Sequence, residues 1–170
     1  MDAQSFERSA LAAVSEAAPT TDLDALRASF DLIRASTLLV QRLEAEVHHP
    51  AGWSMAGFRV MFCVWVAGGL EPRDIARLSG LSRAAVSSVL NTLERDGLVE
   101  RSRESADRRL VTVRLTTDGE RRLVAAYEQQ NVVERHFFAA LGRERIDGFA
   151  GDLANLLEHR SSTASTPPST

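Results

Sequence analysis

The stretch RDIARLSGLSRAAVSSVLNTLERDGLV, residues 73–99, restricts the fold more than any other part of the chain. Ala76 is small enough for two helices to approach closely, and Gly80, four residues later, permits a left-handed turn. Val86 and Val89 fall where a second helix must bury itself under the first. That spacing predicts a helix-turn-helix. Ser82 is placed to cap the second helix, which would run to about Asp96, before Gly97, and span roughly 20 Å, enough to lie in a major groove. Val86, Val89, Leu90 and Leu93 point inward at helical spacing, leaving Arg83, Ala84, Ser87, Ser88 and Asn91 outward. A merely solvated helix would expose Glu and Lys there; this outward set is small or hydrogen-bonding.

Residues 98–103 and 109–115 alternate as strands joined by the polar turn ESAD, so the helix pair is followed by a basic hairpin and the unit reads as a winged helix. Long apolar helices flank it. Leu23, Leu26, Phe30, Ile33, Thr37 and Val40 recur at steps of three and four over about 22–47, with Thr21 or Asp22 as cap and Leu32, Leu39 and Leu43 as a second stripe. A loop HHPAGW leads into MAGFRVMFCVWVAGGL, apolar on every side and expected at the centre of a core. Pro72 opens the next short helix. After Thr116 or Thr117 as cap, helices carrying Leu123, Tyr127, Val133, Phe137 and Leu141, then Ile146, Phe149, Leu153, Leu156 and Leu157, reach about His159. Residues 1–20 read as an N-terminal extension with a short Ala-rich helix ending near Pro19. Residues 161–170, SSTASTPPST, read as a disordered tail. The fold class is therefore mainly α with a small β-hairpin wing.

At 170 residues and 44% apolar, the chain fits one domain with its own core. Cys63 is the only cysteine, which excludes zinc ribbons, disulfide scaffolds and redox pairs. No apolar run reaches the roughly 18 residues that cross a bilayer, and Asp2 stands where a secretory signal would carry basic charge. The expected location is the cytoplasm. The net charge is -3, yet residues 71–122 hold 11 Arg against 9 acids, and residues 101–114 hold five Arg against Glu104 and Asp107. Every one of the 20 basic residues is arginine. A globally acidic protein with a local basic hairpin is a poor non-specific polyanion binder but suits a local contact with DNA.

Two stretches, LSRAAVSSVLNTLERDGLVER (81–101) and DRRLVTVRLTTDG (107–119), resemble the MarR family of winged-helix regulators, and the likeness extends over about residues 22–158. The second is the more specific: Asp107, Arg109, Leu115, Thr116 and Gly119 match the family's wing signature, Asp-x-Arg and then Leu-Thr-x-x-Gly. The resemblance implies a single domain over residues 21–160, its winged helix at about 54–116 and its dimerisation helices at about 22–47 and 118–159. It implies a homodimer on a pseudo-palindromic double-stranded operator, recognition helices in successive major grooves and wings in the flanking minor grooves. The DNA-binding set would be Ser82, Arg83, Ala84, Ser87, Ser88 and Asn91, with Arg101, Arg103, Asp107, Arg108 and Arg109 from the hairpin. Arg109 would enter the minor groove, where negative potential concentrates, and Asp107 would hold it extended. Many relatives are basic where this chain has Ser88, so base reading would rest on Arg83, Ser87 and Asn91.

The family often binds small anionic aromatic or lipophilic effectors in a cleft. Trp53, Met55, Phe58, Arg59 and Trp65 would offer an apolar lining with one cation. Cys63, between Phe62 and Val64, reads as an inert core thiol. His48 and His49 near Glu44 and Glu46 raise a metal site, but adjacent histidines rarely converge on one ion and no metal or cofactor is expected. The sequence lacks a phosphate loop, a GxSxG elbow, an HExxH motif and a Cys/His pair, so a regulator is expected and an enzyme is not. The alternatives are a winged-helix protein-interaction module and a constitutive DNA binder without a ligand.

Overall fold

The computed structural model describes residues 2–102 and 111–163. They form α1 (Ala3–Ala17), α2 (Leu23–Leu43), a π turn (Glu44–His48), α3 (His49–Ala51), α4 (Met55–Ala67), α5 (Pro72–Ser79), α6 (Arg83–Arg95), strands β1 (Val99–Ser102) and β2 (Thr112–Leu115), α7 (Thr117–Phe138), a 3-10 turn (Ala139–Leu141) and α8 (Arg143–Thr163). No described helix is long and apolar enough to cross a membrane. Two compact units divide at residue 130, Met1–Gln130 and Asn131–Thr170.

In the first unit the core gathers on α4, whose Val60, Met61 and Val64 are buried, together with Ile75 from α5 and Val86, Leu90 and Leu93 from α6. α4 is less enclosed than its all-round apolar pattern predicts: Val66 is 68% exposed and Trp65 is partly exposed. Trp65 owes this to its polar edge, since its Nε1 donates to Glu120 Oε1 at 3.2 Å. Val89 is half-buried rather than enclosed. It lies on the border between the inward and outward faces of α6.

The helix starts follow their capping residues. Asp22 Oδ1 accepts from Ala25 N at 2.9 Å, Ser54 Oγ from Gly57 N at 3.2 Å and Ser82 Oγ from Ala85 N at 3.1 Å. Between α5 and α6, Gly80 takes φ +68°, which an L side chain rarely adopts, and a Cβ there would also meet Arg59 Nη2 at 3.0 Å.

The sheet pairs β1 and β2 antiparallel, Val99 opposite Leu115 and Ser102 opposite Thr112. Leu70 adds a third rung by exchanging backbone hydrogen bonds with Val113, at 3.0 and 2.8 Å. Thr116 ties the hairpin base to α7: its Oγ1 donates to Gly97 O at 2.7 Å and accepts from Gly119 N at 2.9 Å.

The expected loop HHPAGW is largely helical. The His49 N–H donates to Glu44 O five residues back, which makes the π turn, and α3 then carries the helix to Ala51. Pro50 is accommodated because it stands in the first turn of α3, where a missing N–H costs no intrahelical bond. In the second unit α7 gives way to the 3-10 turn before Gly142, and Phe138 packs edge-on to Phe137 and 6.3 Å from Phe149. α8 continues to Thr163, past His159, so residues 161–163 of the expected tail are helical. No proline or glycine interrupts the chain after Gly151 until Pro167, which lets the helix run on.

Candidate nucleic-acid interface

α6 presents Arg83, Ala84, Ser87, Ser88 and Asn91 to solvent, as helical spacing predicts, and Ser82 is exposed at its start with Oγ engaged as the cap. The face is poor in acids for its first two turns; Glu94 enters only on the fourth. Among the described residues Arg83 makes no ion pair, whereas its neighbours on α5 do. Arg73 Nε lies 3.1 Å from Glu71 Oε2, and Arg77 Nη2 lies 3.1 Å from Asp74 Oδ1. A groove of about 530 Å³ opens between α5, α6 and the hairpin, with Arg73, Arg83, Ser87 and Arg101 on its rim and Leu90 on its floor.

Arg101 is the one hairpin member of the expected set that the described residues include. It turns onto α6: Nη2 donates to Asn91 Oδ1 at 2.8 Å, and Nη1 lies 3.2 Å from Glu94 Oε2. Arg103, Asp107, Arg108 and Arg109 lie outside the described residues. Arg114, on β2, points elsewhere, its Nη1 donating to Gly68 O at 2.6 Å.

The five residues expected to line a ligand cleft do not share one. Trp53 is buried and borders a cleft of about 370 Å³ with Val47, Pro50, Arg121, Arg122 and Gln129. Trp65, at the far end of α4, borders a separate cavity of about 250 Å³ beside Arg114 and Glu120. Phe58 is buried with its ring stacked on His48 at 4.7 Å and 5.6 Å from Phe62. Met55 is half-buried, and Arg59 is exposed beside Gly80. Helix α4 explains the dispersal: at 1.5 Å per residue, twelve positions separate Trp53 from Trp65 by roughly 18 Å.

Arg121 and Arg122 escaped the sequence reading. Arg122 stands 5.4 Å above the Trp53 ring and its Nη2 donates to Ala51 O at 2.7 Å, a cation over an aromatic face held by a backbone carbonyl. Those partners are 71 residues apart in the chain, and nothing local signals the meeting. The Trp53 Nε1 is buried with no hydrogen-bond partner among the described residues.

His48 and His49 diverge. His48 is wholly buried against Phe58, while His49 is exposed with Nε2 2.6 Å from Glu44 Oε2. Burial lowers the His48 pKa below its ordinary 6.5; Glu44 opposes that shift and His49 adds to it. Among the described residues no three His, Cys, Asp or Glu side chains gather as a metal site would need. Cys63 is half-buried, and burial raises its thiol pKa above the ordinary 9.0 despite the opposing charge of Arg59 and a backbone hydrogen bond.

Helix pair, paired hairpin and long flanking helices together define a winged helix-turn-helix, and comparison with known proteins gives the family. Residues 53–111 match the MarR family. The uncharacterized HTH-type transcriptional regulator YwaE of Bacillus subtilis (strain 168) is 30% identical over 142 residues, 84% of this chain and 83% of its own length. The transcriptional repressor CouR, solved bound to a 23-mer DNA duplex, is 27% identical with a TM-score of 0.71 over 76% of this chain and 91% of that one. A mutant MarR from E. coli, solved with operator DNA, shares the fold at 20% identity and a TM-score of 0.69 over 85% and 97% of the two chains. The chain belongs to the MarR family of transcriptional regulators.

Proposed function

We propose that the chain acts in the cytoplasm as a homodimeric repressor that binds a pseudo-palindromic double-stranded operator and releases it when a small anionic aromatic or lipophilic effector binds. The observation that carries this is the outward face of α6, where Arg83, Ser87, Ser88 and Asn91 are exposed together around a groove rimmed by arginine. Arg83 near the helix start suits guanine or phosphate, and Ser and Asn accept or donate at base edges. The DNA-bound CouR supports the same role. Asp107 and Arg109 complete the proposal at the minor groove, with Arg103 and Arg108 as phosphate contacts. Arg109→Ala then weakens operator binding by more than about 1 kcal/mol while the protein stays folded.

Two copies are favoured by apolar side chains that the single chain leaves in water. Leu32, Ile33, Leu38 and Val40 of α2 are between 43% and 64% exposed, and Leu156 and Leu157 of α8 are 64% and 72% exposed. Such surface is covered in a stable dimer. For the effector, the cleft beside Trp53 offers an aromatic wall, an unpaired indole donor and two guanidinium groups, the features an aromatic acid needs. A coupling of about 1 to 3 kcal/mol between cleft and DNA would change affinity by about 5- to 150-fold.

Selection from a random duplex pool at fixed moderate salt tests the reading. The expected product is a two-fold symmetric motif with half-sites about one helical turn apart, bound more tightly than scrambled DNA. A folded dimer that enriches no motif would point instead to a protein-interaction module. An effector is recognised by raising the melting temperature while lowering DNA affinity. A screen of aromatic acids that yields neither change leaves a constitutive binder.

A further inference from the structure

Arg101 reaches from β1 across one turn of α6, placing one guanidinium nitrogen on Asn91 Oδ1 and another on Glu94 Oε2. Because a guanidinium carries only donors, the Asn91 atom facing it has to be the amide oxygen, which settles the orientation of that amide. Its Nδ2 hydrogens are then left for whatever α6 meets. Asparagine reads adenine by a paired contact, donating to N7 and accepting from the N6 amino group, and so needs a free oxygen. Here the oxygen already serves Arg101, and its second lone pair lies beside a cation that repels an incoming amino hydrogen. Two donors remain, and guanine, with O6 and N7 both acceptors, matches them.

We propose that Arg101 is a positioning residue that makes Asn91 a donor-only reader, giving the operator a guanine where an unrestrained asparagine would take adenine. Glu94 holds the other limb of the fork, so Arg101 is kept on Asn91 and away from phosphate. The proposal rests on α6 being the DNA-reading helix.

The experiment repeats the duplex selection with the wild-type dimer, Asn91→Ala, Arg101→Met and the double variant. Asn91→Ala marks the base position by losing preference there. At that position the wild type takes guanine over adenine by at least about fivefold, the lower end of discrimination by a good paired contact. Arg101→Met, which keeps the stem and removes every donor, brings the ratio to one or below, and the double variant matches Asn91→Ala. Glu94→Gln shifts the ratio in the same direction by less and serves if Arg101→Met does not fold. Uniform weakening on all sequences with the guanine preference intact would make Arg101 a phosphate contact and overturn the proposal. Adenine at that position in the wild type would overturn it too. If the folded wild type selects no motif at all, the DNA-binding reading falls first and this proposal with it.

Discussion

Gly119 lies against the backbone of Leu98 so closely that a Cβ on Gly119 would overlap the Leu98 carbonyl oxygen and stand 2.8 Å from its carbonyl carbon. Gly119 is buried in the first turn of α7, and its N–H donates to Thr116 Oγ1. The Leu-Thr-x-x-Gly signature is thus a packing device that lets α7 start directly on the hairpin base. Gly119→Ala gains helix propensity worth about 1 kcal/mol but must displace backbone. We expect a net loss of about 1 to 3 kcal/mol by urea unfolding. Unchanged or increased stability would show that α7 has room to move away.

Glu44 joins two parts of the first unit. Its Oε1 accepts from Met55 N at 2.6 Å, satisfying one of the free N–H groups of α4, while Oε2 meets His49. Glu44→Ala should cost about 1 kcal/mol, and Glu44→Gln, which keeps an acceptor, should recover most of it. His49→Ala should cost well under ~1 kcal/mol, since that pair is exposed on the histidine side. Equal losses for Glu44→Ala and His49→Ala would assign the stabilisation to the ion pair instead.

His48 makes stability depend on pH. It is buried beside Phe58 with neither ring nitrogen hydrogen-bonded among the described residues, and its pKa lies below 6.5. Below 6.5 the unfolded chain takes up a proton that the folded chain resists, so stability falls as pH drops through that value. At pH 7.5 both states are neutral at His48 and the penalty is absent. Between pH 7.5 and 5.5 the wild type should lose more unfolding free energy than His48→Leu. Parallel pH profiles for the two proteins would remove His48 as the cause.

Cys63 should be slow to react. With the thiol pKa raised by burial, little thiolate exists near neutral pH, and thiolate is the reactive species. An alkylating reagent at pH 7.5 should modify the folded protein several-fold more slowly than the urea-unfolded chain. Peroxide should leave DNA affinity unchanged in the wild type, and a loss that Cys63→Ala prevents would establish a redox role.

The recognition helix was legible because its determinants are local: Ser82, Gly80 and the spacing of Val86, Leu90 and Leu93 act within a few turns of one another. The hairpin register and the Thr116 cap were legible for the same reason. The π turn was not, since it replaces one hydrogen-bond spacing with another and leaves the residue pattern ambiguous. The cleft beside Trp53 was only half visible. Trp53 stands out in the sequence, whereas Arg122 reaches it across a long separation, through a backbone carbonyl that no composition or period reveals. The restraint of Arg101 on Asn91 was hidden as well, because it depends on how the twist of the hairpin aims one side chain.

The π turn at residues 44–48 has a bearing on the α6 face, although the two are far apart in sequence. A five-residue hydrogen-bonded turn holds one residue more than the ordinary helical repeat, and each residue advances a helix by about 100°. Deleting a single residue there would close the turn into regular α-helix and rotate everything downstream about the α2 axis, carrying Val47 and His48 off their buried side. A substitution in this stretch changes a contact; a deletion changes the phase. The direction in which the first unit aims its arginine-rimmed groove is thereby encoded partly as a number of residues, indifferent to which side chains they bear.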